Sequence, residues 1–99
     1  MAQMDGGNTL KHIHIVVSGH VQGVGFRYFT QVKALEHHIT GWVKNREDGT
    51  VEIVAAGNEK QLSMFISWLK KGNRFSTVEN VSVTPLFEEK TYSNFSIKK

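Results

Sequence analysis

The chain has no cysteine, a single proline and no apolar run near the ~20 residues that a membrane-spanning helix requires. The first absence excludes disulfides, thiolate metal ligands and a cysteine nucleophile, and it suits the cytoplasm. Residues 1–10 lack the basic start and apolar middle of a signal peptide and contain Gly6 and Gly7. They read as a flexible extension ahead of a folded part over 11–99. A large charge surplus is missing too: twelve Lys and Arg against nine Asp and Glu leave +3 with histidines neutral. That surplus helps steer a small anion but falls short of a nucleic-acid footprint. With no repeat, low-complexity tract or like-charge block, 99 residues at 39% hydrophobic content fit one domain. Such a chain buries a little over ~60% of its unfolded surface, enough for a core without staples.

What is present falls into alternating and helical patterns. Ile13, Ile15 and Val17 alternate with His12, His14 and Val16, as in a strand with one apolar face. Phe29, Val32, Leu35 and Ile39 recur at helical steps, and Thr40-Gly41 breaks the stripe. Trp42 to Arg46 and Thr50 to Ala56 flank Glu47-Asp48-Gly49, a hairpin signal, with Val51, Ile53 and Ala55 on one face. Leu62, Phe65, Ile66 and Leu69 form the buried side of a second helix between Gly57-Asn58 and Gly72-Asn73. Val81 and Val83 lie in a fourth strand that Pro85 ends or pushes to an edge, and Phe95 and Ile97 lie in a short fifth. The order βαββαβ plus a terminal strand predicts an α+β, ferredoxin-like split βαβ sandwich. Its antiparallel sheet is covered on one face by both helices.

Between the first strand and the first helix runs Gly19-His20-Val21-Gln22-Gly23-Val24-Gly25-Phe26-Arg27. A glycine-rich turn into a helix N-terminus gathers unpaired N–H groups and the positive end of the helix dipole, which together suit an anion. Arg27 adds a permanent planar cation with five donors. On the hairpin, Asn45 shares a face with Val43. If Val43 faces the helices, Asn45 does too, and a polar amide there needs a partner or a task. A right-handed crossover puts this strand in the same sheet as the first, on the side of the glycine loop, at a distance the sequence leaves open.

The nine-residue run, followed by Gly41-Trp42-Val43-Lys44-Asn45 and Asp48-Gly49-Thr50-Val51, closely resembles the acylphosphatase family over about 11–98. The resemblance implies a cofactor-free, metal-independent enzyme that hydrolyses the carboxyl–phosphate anhydride of acyl phosphates. By matching position, Arg27 is the phosphate-binding arginine and Asn45 the water-orienting asparagine. The backbone of Gln22, Gly23, Val24, Gly25 and Phe26 forms the cradle. Inorganic phosphate is then the product or a competitive inhibitor, and the expected protein is a cytoplasmic monomer with no nucleic-acid or membrane partner.

Other readings compete for the same residues. His12 with His14, and His37 with His38, form pairs without a nearby third ligand, so a metal site is not expected. Lys70, Lys71 and Arg74 follow the second helix as dipole partners. Gly23-Val24-Gly25-Phe26-Arg27 resembles the glycine–aromatic signature of RNA recognition domains, but that signature belongs on a central strand and here precedes a helix. Carbamoyl-phosphate-handling maturation proteins carry a similar domain at their front end. In that group a proline follows the arginine, where this chain has Tyr28.

Overall fold

The computed structural model describes residues 9–87 and 90–99, so most of the extension expected over 1–10 lies outside the described residues. Seven elements follow one another: β1 (Lys11–His20), α1 (Phe26–Glu36), β2 (Thr40–Asn45), β3 (Val51–Gly57), α2 (Glu59–Lys71), β4 (Thr77–Leu86) and β5 (Phe95–Lys98). The strands form one sheet in the order β4-β1-β3-β2-β5. Ile15, Val17, Val43, Val51 and Ile53 are fully buried on one face, where Phe26 and Ala34 of α1 and Leu62, Phe65 and Leu69 of α2 join them. Each of the valine, isoleucine, leucine and phenylalanine side chains among them contributes about 1.5–3 kcal/mol by leaving water.

The sheet is mixed rather than wholly antiparallel, because β5 runs parallel to β2. The cause is topological. β4 finishes at the end of the sheet where β2 begins, so a chain crossing to the far side enters beside the start of β2. The Gly41 N–H donates to the Asn94 carbonyl at 2.9 Å and pins that entry. The crossing is also tied to β1, where His12 Nε2 lies 2.7 Å from the Lys90 carbonyl. Pro85 sits within β4, on an edge strand that tolerates its missing donor.

The helical stripe of α1 differs from the expected one. Its buried residues are Phe26, Thr30 and Ala34, Phe29 packs at the margin of the core, and Leu35 is 59% exposed. The Thr30 hydroxyl donates to the Phe26 carbonyl at 2.9 Å, so burying it leaves no donor unpaired. Ala34 adds little bulk and allows a close approach to the sheet. Ile39 enters the core from beyond the helix, which stops at Glu36 and turns through a left-handed His38 at φ 59°. α2 follows its expected pattern. Asn58 accepts from the Gln61 N–H at 2.8 Å and Gln61 Oε1 accepts from the Asn58 N–H at 2.9 Å, a reciprocal cap.

The β2–β3 turn closes through the Arg46 N–H to the Thr50 carbonyl at 2.9 Å. The Asp48 carboxylate accepts from the Thr50 hydroxyl at 2.6 Å and the Thr50 N–H at 3.0 Å. Those two bonds, the hydroxyl first, hold the Asp48 carboxyl below its ordinary pKa.

Gly41 is a sharp test of the β2–β3 packing. Its φ is +136°, and an added β-carbon would run into the Val54 carbonyl of the neighbouring strand. Gly41→Ala is expected to lower stability by about 2–4 kcal/mol in equilibrium urea unfolding. A change within about 0.5 kcal/mol, the range of an ordinary surface substitution, would contradict this packing.

Candidate functional site

β1 and β2 run parallel to each other on either side of β3. Val17 and Asn45 are both in register with Val51, which sets them roughly 10 Å apart at the same end of the sheet. Val17 and Val51 point under the helices, and Asn45 lies two residues beyond buried Val43, so it shares their face. The glycine loop leaves β1 at that end and enters α1 at Phe26. Gly23 and Gly25 hold φ values of 74° and 75°, which residues with a side chain rarely adopt. Gly25 is the N-cap of α1, and its carbonyl accepts from Phe29 at 3.0 Å. Among the described residues outside the helix, no backbone carbonyl accepts from the N–H groups of Phe26, Arg27 and Tyr28, the donors of a helix start.

These parts enclose a cavity of ≈ 200 Å³. The loop contributes Val21, Gly23, Gly25 and Phe26 to its walls, α1 adds Arg27 and Tyr28, β2 adds Asn45 and β5 adds Ile97. The volume falls below the ~300 Å³ at which pockets for drug-sized ligands begin, and suits a small anion. A larger groove of ≈ 410 Å³ lies over Ile13, Leu62 and Ile66 with Lys11, Ser63, Ser67 and Lys70 in its walls, and neither the glycine loop nor Asn45 contributes to it.

Arg27 and Asn45, expected to act together, thus meet the loop at one place. The Arg27 guanidinium donates through Nη1 to the Lys98 carbonyl at 3.2 Å. Among the described residues it enters no ion pair with a carboxylate, so its charge is not neutralised locally. Asn45 Oδ1 is buried and has no hydrogen-bond partner among the described residues, leaving an acceptor for a water or hydroxyl. The arrangement can hold an anion by fixed positive potential and orient an O–H donor beside it.

Two loop residues expected in the cradle do not line the cavity. Gln22 Nε2 donates to the Arg46 carbonyl at 2.8 Å and the Thr50 carbonyl at 2.9 Å, tying the loop to the hairpin that carries Asn45. Val24 packs against the core, and its carbonyl accepts from Asn73 Nδ2 at 2.8 Å. Sequence reasoning missed Tyr28, Ile97 and the Lys98 carbonyl as neighbours of the site. The alternation of Phe95 and Ile97 marked a strand, but nothing local announced that it would lie beside β2.

The histidine pairs do not converge on one centre. His12 bonds to Lys90, whereas His14 Nε2 lies 2.7 Å from Glu52 Oε2. Among the described residues no three of His, Cys, Asp and Glu are grouped to hold a metal ion. No helix there is long and apolar enough to cross a membrane. Gly23 to Arg27 lie in the loop and first turn of α1 rather than on a strand, unlike the RNA-binding signature.

A family model described as acylphosphatase matches residues 13–97. An acylphosphatase of Bacillus velezensis is 49% identical over 84 residues, covering 85% of this chain and 93% of that protein. The crystal structure of acylphosphatase from Bacillus subtilis superposes with a TM-score of 0.87 at 46% identity, over 92% of this chain and 100% of that one. Full-length HypF, in a phosphate- and nucleotide-bound form, gives 0.80 at 29% identity; the match covers 92% of this chain but 12% of HypF.

Gln22→Ala removes two hydrogen bonds from partly buried carbonyls and is expected to lower stability by about 1–2 kcal/mol. Gln22→Glu should cost more at neutral pH than in acid, because an ionised carboxylate would face two carbonyl oxygens while a protonated one can still donate. Urea unfolding at both pH values checks this; equal losses would contradict the placement of residue 22 against two carbonyl oxygens.

Proposed function

The chain belongs to the acylphosphatase family, whose members are hydrolases acting on acyl phosphates, and from that premise we propose how its residues divide the work. Arg27 and the backbone N–H groups of the loop hold the phosphoryl oxygens. Asn45 Oδ1 accepts a hydrogen bond from the attacking water and aims its oxygen at phosphorus, opposite the leaving carboxylate. The new O–P bond forms as the bond from phosphorus to the carboxyl oxygen breaks, and the water's proton passes to a phosphoryl oxygen. The observation that carries this assignment is the meeting, around one small cavity, of an Arg27 and an Asn45 Oδ1 that find neither a carboxylate nor a hydrogen-bond donor, respectively, among the described residues.

The substrate's chemistry asks little more of the protein. A carboxylate leaves without protonation, so no general acid is needed at that end. Phosphoryl transfer through a loose transition state depends mainly on holding the equatorial oxygens and placing the nucleophile in line. Fixed donors and a guanidinium supply the first, and an amide on a rigid strand supplies the second. One chain provides every group named, so this division of work calls on neither a cofactor nor a second subunit. Inorganic phosphate competes for the same cradle.

The test is benzoyl phosphate hydrolysis in excess chelator, with and without inorganic phosphate. The protein is expected to turn over, with competitive inhibition by phosphate. Arg27→Ala should raise KM, lower kcat and reduce kcat/KM on the order of 10²- to 10³-fold. Arg27→Lys should be nearly as damaging, since an ammonium lacks the planar fork. Asn45→Ala should lower kcat while leaving phosphate inhibition nearly intact. An Asn45→Ala variant that loses phosphate binding but keeps turnover would reverse the two roles.

A further inference from the structure

Glycines on both sides of Val24 leave the loop's backbone unusually free. The peptide joining Val24 to Gly25 can reverse by changing ψ of residue 24 and φ of residue 25, and glycine accepts either sign of φ. Its orientation decides whether a donor or an acceptor faces the cavity. In a trans peptide the C=O and N–H point in opposite directions. A carbonyl aimed into the cavity would repel a phosphoryl group, whereas an N–H would bind it.

One side chain outside the cavity holds this peptide. Asn73, in the connection between α2 and β4, donates from Nδ2 to the Val24 carbonyl at 2.8 Å. It lies beside the next residue as well, since a β-carbon on Gly25 would sit 3.8 Å from the same nitrogen. Asn73 is itself anchored, because its N–H donates to Ser76 Oγ at 2.9 Å and its carbonyl accepts from the Ser76 N–H at 3.3 Å. Its Oδ1 is buried without a partner among the described residues, where the amide's one hydrogen bond is the one it donates. Gly25 lines the cavity and Val24 does not. No backbone carbonyl among the described residues accepts from the Gly25 N–H.

We infer that Asn73 is a positioning residue of the phosphate site: by engaging the Val24 carbonyl on the outer side, it turns the Gly25 N–H toward the cavity. The inference rests on the phosphate cradle proposed above and adds a long-range constraint to it. A residue 49 positions away selects one of two orientations of a single peptide.

Asn73→Asp tests this directly. A carboxylate cannot donate to the Val24 carbonyl but accepts readily from the Gly25 N–H, so it favours the reversed peptide. Asn73→Leu removes the donor without adding charge. Both variants should weaken inorganic phosphate binding and raise KM for benzoyl phosphate, by about 10- to 100-fold for Asp and less for Leu. The specific readout is the Gly25 amide resonance in a ¹H–¹⁵N spectrum titrated with phosphate. It should move strongly downfield in the wild type and lose that response in both variants, while the Phe26 amide keeps its own. A change in global stability alone would not produce this selective loss.

A wild-type protein that binds phosphate with no response at Gly25 would overturn the inference while leaving the site intact, whether or not the variants fold. Folded variants that keep both affinity and the Gly25 response would overturn it too. A wild type that neither binds phosphate nor hydrolyses benzoyl phosphate would instead overturn the underlying cradle, and this inference with it.

Discussion

The site depends on one constraint of the sheet: Val51 pairs with Val17 on one side and Asn45 on the other. Because β3 is antiparallel to both neighbours, β1 and β2 run the same way and finish at the same end. The loop that follows β1 and the asparagine that finishes β2 therefore meet by register. A slip of one residue in the β2–β3 pairing would turn Asn45 to the open face and leave the loop facing an empty corner. The turn formed by Asp48, Gly49 and Thr50 guards against that slip, and the Gln22 amide ties the same turn back to the loop.

Around that frame the protein spends its polar groups on position. Among the described residues Arg27 meets no carboxylate, and its hydrogen-bond partner is the uncharged Lys98 carbonyl. Asn45 keeps an unsatisfied acceptor under the helices, a modest cost in stability that leaves an aimed group available. Gln22 and Asn73 hold the loop from two sides without lining the cavity. A reaction whose leaving group needs no proton can be served by such a set, in which geometry and fixed potential replace strong acids and bases.

Much of this was legible along the chain. The alternation in β1 and β3, the Asp48-Gly49 turn and the stripe of α2 come from local periodicity, and each stands where it was expected. The α1 stripe departs from the periodicity of large apolar residues because its buried positions include small Ala34 and Thr30, whose hydroxyl bonds within its own helix. Leu35 is apolar yet exposed, since a helix buries the face its entry angle presents, and the loop before Phe26 sets that angle.

The sequence alone determined the chemical inventory: a glycine loop opening a helix, an arginine on its first turn, an asparagine at a strand end, and no thiol. These are properties of residue type and near spacing, and near spacing is where dihedral preferences and periodicity act. Tertiary structure alone decided that β5 lies parallel beside β2, that the Lys98 carbonyl steadies Arg27, and that Asn73 reaches the Val24 carbonyl. Each joins positions far apart in the chain, and such contacts follow from how whole elements pack rather than from any local preference. The run from Gly19 to Arg27 is a local feature of the sequence, and the packed sheet and its connections bring it beside Asn45.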